Sequence, residues 1–144
     1  MILYASVVNQ FIIMTEPVKP TFPKAEHLTS LLLIDKLFAG GSKSFPAFPL
    51  RIVYMPVEAE DLPTVSVLVS VSKKRFKRAV KRNRVKRQIR EAYRKNKSLL
   101  AGPLEAAGKK GVIAFIWLDS KLHASSEVEE KVKKLLQLTA ERMV

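Results

Sequence analysis

The sequence predicts an α+β fold, a two-layer sandwich of helices on a small sheet, in the order helix, strand, strand, helix, strand, helix. Three stretches carry this. Thr64 to Ser72 alternates, with Val65, Val67, Val69 and Val71 on one face and Ser66, Ser70 and Ser72 on the other. That period of two belongs to a half-exposed strand. Val112 to Leu118 is apolar in both alternating sets, as a strand covered on both faces requires. Val128, Val132, Leu135, Leu136, Thr139 and Met143 recur at helical spacing and form one face of a C-terminal helix.

The remaining elements follow in chain order. Lys24 to Phe38 reads as a first helix, stopped by Gly40-Gly41. Its apolar residues, Leu28, Leu31, Leu32, Leu33, Ile34, Leu37 and Phe38, surround most of the circumference, so it packs on two sides or offers one to a partner. Ser42 to Pro49 reads as a turn-rich connector with room for one more strand. Leu50 to Met55 reads as a short strand ended by Pro56, and Val57 to Pro63 as an acidic, proline-bounded loop. Lys73 to Lys97 supplies a helix between two strands, followed by a loop marked by Gly102-Pro103, Gly108 and Gly111. Ser126 and Glu129 have the spacing of a capping box at the start of the last helix.

With 144 residues and 47% hydrophobic content, the chain has material for one domain, placed at residues 21–144. Residues 1–20 read as an N-terminal extension. No Lys or Arg precedes Lys19, so the basic start of a signal peptide is missing, and Met14 offers a second start. Pro17, Pro20 and Pro23 prevent one helix from running on into the domain. The absence of cysteine excludes disulfides, thiolate metal sites and a cysteine nucleophile, and suits a reducing cytoplasm. The longest apolar runs, Ile2 to Val8 and Val112 to Leu118, fall well short of the roughly 20 residues that a membrane-spanning helix needs, so no membrane partner is expected.

Charge points to the partner. Against 13 Asp and Glu stand 26 Lys and Arg, a net charge of +13 and a pI near 10.2, which calls for a polyanion. Between Lys73 and Lys97 there are 14 basic residues in 25, offset by Glu91 alone. Wound as a helix, this segment gathers Val85, Ile89, Ala92 and Tyr93 on one side, to face the sheet. Asn83, Lys86, Arg87, Arg90 and Arg94 gather on the other, with Arg84 at the margin. Such a cationic ridge suits RNA, because guanidinium groups bind phosphate bidentately, stay charged at any cellular pH and stack on exposed bases.

The run Arg82-Asn83-Arg84-Val85-Lys86-Arg87 followed by Arg90-Glu91-Ala92-Tyr93-Arg94 closely resembles the RNR signature of the bacterial ribonuclease P protein family. Val69-Ser70-Val71-Ser72-Lys73-Lys74 resembles that family's strand leading into the helix. The resemblance implies a small mixed central sheet, with the basic helix in a left-handed crossover that the general preference for right-handed connections does not anticipate. It also implies an accessory subunit of an endoribonuclease. The catalytic RNA, with Mg²⁺, would hydrolyse the precursor-tRNA backbone, and the protein would bind no cofactor and no small-molecule substrate. By position, Arg82, Asn83, Arg84, Lys86, Arg87, Arg90 and Arg94 would contact that RNA, flanked by Lys73 and Lys74. Ile34, Phe38, Tyr54, Ser70 and Ser72 would line a cleft for the 5′ leader. Two positions depart from many relatives: Ile34 replaces a second aromatic that would stack on bases, and Arg75-Phe76-Lys77-Arg78 replaces a glycine-containing turn.

Other candidates carry less. His27 and His123 lack acidic or cysteine partners at ligand spacing. Trp117 reads as core, and Glu58, Glu60 and Asp61 as a solvated acidic loop. No phosphate loop, nucleophile elbow or metal motif is present in the sequence, so catalysis is expected of a complex rather than of this chain. Two rivals remain at this point: a general RNA-binding or ribosome-associated protein, and a DNA-binding module that lays the basic helix in a major groove.

Overall fold

The computed structural model describes residues 22–40, 42–58 and 60–144. The expectations for the extension at residues 1–20 and the alternative start at Met14 lie outside them. Along the chain run α1 (Leu31–Phe38), β1 (Lys43–Ala47), β2 (Leu50–Val57), β3 (Val65–Ser70), α2 (Ala79–Asn96), α3 (Ser98–Ala106), β4 (Lys110–Trp117) and α4 (Ser125–Met143). The four strands form a mixed sheet in the order β1-β2-β4-β3. β1 pairs with β2 and β2 with β4 antiparallel, whereas β3 lies parallel to β4. The parallel neighbours β3 and β4 are joined by a crossover through α2 and α3.

The pleat of each strand divides the core in two. Leu50, Ile52 and Tyr54 of β2, Val65, Val67 and Val69 of β3, and Ile113, Phe115 and Trp117 of β4 pack with buried residues of α2, α3 and α4. On the opposite face, Val53, Val112 and Ala114 pack with Leu28 and with Leu37 of α1. β4 is therefore buried on both faces, as its unbroken apolar run requires. The short α1 covers only part of its face, so partly exposed Leu68 and Ile116 fringe the smaller core.

Several local expectations are corrected. The first helix begins at Leu31 rather than Lys24. Lys24–Glu26 is a single 3-10 turn, the Leu28 amide donates to the Val67 carbonyl at 2.7 Å, and Ser30 caps α1 by accepting from the Leu33 amide. Pairing with the edge of β3 thus takes the place of the first two helical turns. The connector after α1 contains the strand β1, which forms a hairpin with β2. Pro56 does not end β2: it lies beyond the last β1 pair, Lys43 with Tyr54, where β2 has a partner strand on one side only. The stretch around Gly102-Pro103 is the helix α3, held by buried Leu100 and Leu104 one turn apart, although Pro103 forgoes one ladder bond. The capping box at Ser126 does not form. Ala124 precedes the helix without a side-chain cap, and Glu129 turns instead to accept from the Asn96 amide group at 3.2 Å.

Candidate nucleic-acid interface

α2 is amphipathic as its spacing demands: Val85, Ile89, Ala92 and Tyr93 are buried against the sheet and α4. Tyr93 sits among apolar neighbours, with the Phe22 ring edge-on at 5.1 Å, and burial, aided by the nearby Glu26 carboxylate, pushes its phenol pKa up. Opposite this buried stripe, Asn83, Arg84, Arg87 and Arg90 are exposed and Lys86 is half-buried. None of these four cations makes an ion pair among the described residues.

Arg82, Arg94, Lys95 and Lys97 of the run are committed to the fold in differing degrees. Arg94 pairs with Glu91 in the same helix, which holds the Glu91 carboxyl below its usual range. Lys95 approaches Glu129 at 3.8 Å, and Lys97 grips Glu26 at 3.0 Å. Arg82 is half-buried, and its guanidinium donates to the carbonyls of Phe76 and Lys77, each at 2.8 Å. Phe76 is buried in the main core, and the amide of Arg75 donates to the Ser72 carbonyl. The segment from Lys73 to Arg78 is therefore a turn fixed at its apolar residue and clamped by Arg82, with Lys73, Lys74, Arg75, Lys77 and Arg78 all exposed. The sequence departs from a glycine-containing turn here, and a buried phenylalanine supplies the anchor. Arg75, Lys77 and Arg78 extend the cationic surface beyond the residues singled out from the signature. Their density of charge was the signal that could have included them.

On the opposite sheet face the expected cleft residues are only partly brought together. Ile34 packs at the fringe of the smaller core, and Phe38, at the end of α1, is 48% exposed. Ser70 pairs in register with Ile116 and shares its face, and Ser72 is exposed in the turn after β3. Tyr54 does not join them. It is 4% exposed, belongs to the main core on the α4 side of the sheet and stacks on Phe45 at 5.5 Å. The alternation of β2 explains this: Leu50, Ile52 and Tyr54 share one face, so Arg51, Val53 and Met55 occupy the α1 face. Arg51 is thus the basic side chain on that face of β2, with its guanidinium donating to the Ser44 hydroxyl at 3.2 Å. Arg90 reaches the same margin of the sheet from α2, where with Phe22, His27 and Leu68 it lines a small cavity of about 190 Å³. His27 stacks on Phe22 at 4.0 Å there.

The expectation that His123 lacks acidic partners is corrected, since Asp119 and Glu127 stand four residues to either side and both reach its ring. Its Nε2 lies 2.7 Å from Asp119 and its Nδ1 3.1 Å from Glu127. The hydrogen bond to Asp119 first, and Glu127 second, raise its pKa, and Asp119 is correspondingly lowered. The Gln88 amide group on α2 donates to the His123 carbonyl and to the Ser125 hydroxyl, both at 3.0 Å, which ties the ridge helix to the start of α4. Among the described residues, no group of three or more His, Asp or Glu is placed to hold a metal ion, and no helix is long and apolar enough to cross a membrane.

The chain is similar to known proteins in sequence and in fold. A family model described as Ribonuclease P matches residues 22–139. The ribonuclease P protein component of Porphyromonas gingivalis strain W83 is 45% identical over 125 residues, covering 85% of this chain and 89% of the relative. That of Chlorobaculum tepidum is 33% identical over 127 residues, covering 79% of this chain and 82% of the relative. Among solved structures, the RNase P protein of Staphylococcus aureus superposes with a TM-score of 0.63 at 20% identity, covering 81% of this chain and 96% of that one. The RNase P protein of Thermotoga maritima does so with a TM-score of 0.59 at 24% identity, covering 78% and 96%. The family match, relatives covered over most of their length and the shared fold agree: this chain belongs to the ribonuclease P protein family.

Proposed function

We propose that this chain binds the catalytic RNA of a bacterial ribonuclease P through the α2 ridge and the turn before it, and guides the 5′ leader of precursor tRNA across the α1 face of the sheet. As a ribonuclease P protein it is an accessory subunit of an endoribonuclease, with an RNA partner. The observation that carries the ridge assignment is the contrast along one helix. Among the described residues Arg84, Lys86, Arg87 and Arg90 stand without carboxylate partners, whereas Arg94, Lys95 and, at the C-cap, Lys97 are paired. Uncompensated cations on a rigid helix neutralise phosphates and release counterions, which supplies affinity without sequence readout.

The leader surface rests on exposed Phe38, partly exposed Ile34 and Ser70, and Ser72, with Arg51 available to a phosphate. Phe38 offers a ring for stacking on an unpaired base. Tyr54, buried on the other face, is left out of this surface. The hydrolysis belongs to the RNA with its Mg²⁺, in the cytoplasm where precursor tRNA is processed. The chain's own contribution is electrostatic: it holds two RNA strands together and lowers the Mg²⁺ concentration needed.

Substrate affinity as a function of leader length tests the leader assignment. In the protein–RNA complex, precursor tRNA with a leader of several nucleotides should bind more tightly than one with a single-nucleotide leader. Phe38→Ala should erase most of the difference, and a preference that survives Phe38→Ala and Arg51→Ala together would place the leader elsewhere.

A further inference from the structure

Among the described residues, Phe38 on α1 and Phe48 are the exposed aromatic side chains. Phe38 belongs to the α1 face. Phe48 stands apart from it, in the two-residue tip between Ala47 and Leu50, the last pair of the β1–β2 hairpin. With 60% of its surface exposed, it is a large apolar group that the core does not use. The tip is nonetheless held in place. The Pro49 carbonyl accepts from the Leu118 amide at 2.8 Å, and the Phe48 ring stands nearly perpendicular to the His123 ring, with centroids 6.4 Å apart. His123 is itself nearly perpendicular to buried Trp117 at 5.4 Å, and Asp119 and Glu127 hold its two ring nitrogens. A perpendicular contact takes up at most one face of the phenyl ring, so Phe48 presents an open face on a fixed base.

The tip lies at the cationic end of the sheet. Leu50 pairs with Trp117, and one residue back along β4, Ile116 pairs with Ser70, where β3 ends before the basic turn. Crossing the sheet from β3 over β4 to the hairpin takes two to three strand spacings, about 10–15 Å. Phe48 and the exposed Lys73, Lys74, Arg75, Lys77 and Arg78 therefore border the same end. From the helix side, Gln88 reaches the His123 carbonyl, and exposed Arg84 precedes Gln88 by one turn. The carboxylates beside the tip, Asp119 and Glu127, are both engaged by His123.

We infer that Phe48 is a stacking platform for one unpaired nucleotide of the catalytic RNA, on a strand whose backbone the basic turn and Arg84 hold. A protein partner would need a contiguous apolar patch around the ring. The exposed residues of the two segments that meet here, Pro46, Ser120 and Lys121, do not form one. A base needs only the face of the ring, with cations nearby for its backbone. Of the two RNA strands, the leader is assigned to the α1 face, whereas Phe48 leans on His123, on the side of α2 and α4. That placement decides for the catalytic RNA. The inference rests on the ribonuclease P reading for the identity of that RNA.

The affinity of the full-length protein for a bacterial ribonuclease P RNA, measured across salt concentrations without precursor tRNA, tests the platform. Phe48→Ala and Phe48→Leu should each weaken binding by about five- to a hundredfold, the range that loss of one base–aromatic stack gives. Phe48→Trp should not weaken it, and the slope against salt should be the same in all three, since no charge is removed. In the complex with precursor tRNA, a benzophenone side chain at position 48 should crosslink to an unpaired nucleotide of the catalytic RNA. Binding of Phe48→Ala or Phe48→Leu at the unaltered affinity, or a crosslink to precursor tRNA in place of the catalytic RNA, would overturn the platform and leave the ridge in place. Failure of the unaltered protein to bind any such RNA would overturn the ribonuclease P reading along with it.

Discussion

Individual cations in α2 do different work, and the difference is measurable. Arg87 and Arg90 project from the ridge without acidic partners among the described residues. Replacing either with Ala should lower the slope of log affinity against log salt by about one, while stability stays within about 0.5 kcal/mol. Arg82 holds two carbonyls of the preceding turn. Arg82→Ala should therefore cost about 1–2 kcal/mol in denaturant unfolding as well as RNA affinity. His123 gives a pH signature. Its carboxylate partners raise its pKa, so the folded state favours the protonated ring. The resulting stabilisation is complete below the ordinary value near 6.5 and fades as pH rises through the higher folded value. Stability measured from pH 6 upward should decline, and His123→Gln should flatten that decline.

Elements were legible where their own sequence decides them. The buried stripe of α2, Val85, Ile89, Ala92 and Tyr93, follows from a period of 3.6, as does the face of α4, and the valine alternation of β3 follows from a period of two. Ile89→Ala, which empties a fully buried position beneath an unchanged ridge, should cost about 2–5 kcal/mol of stability without altering the salt slope of RNA binding. Elements that depend on distant partners were not legible. The start of α1 is fixed by a hydrogen bond to Val67, some forty residues on. The capping box fails because Glu129 is drawn to Asn96 on another helix, and α3 forms across Gly102-Pro103 because Leu100 and Leu104 find a place in the core.

At the scale of the whole molecule, the parallel pairing of β3 with β4 sets the turn Lys73–Arg78 and the helix α2 beside each other at one end of the sheet. The α1 face lies on the other side, and Arg90 approaches its margin. The cationic ridge could be read from spacing because a single helix carries it. The membership of the proposed leader surface could not, because which face a strand residue occupies depends on how the strands stack. Tyr54 and Arg51 exchange places on that account. The central claim is that this basic scaffold assists an RNA catalyst, and cleavage of a precursor tRNA by a bacterial ribonuclease P RNA at low Mg²⁺, with and without the protein, tests it most directly. The account predicts stimulation that yields the mature 5′ end and is lost when Arg84, Arg87 and Arg90 are all replaced by Ala. Tight RNA binding without stimulation, across several such RNAs, would contradict it.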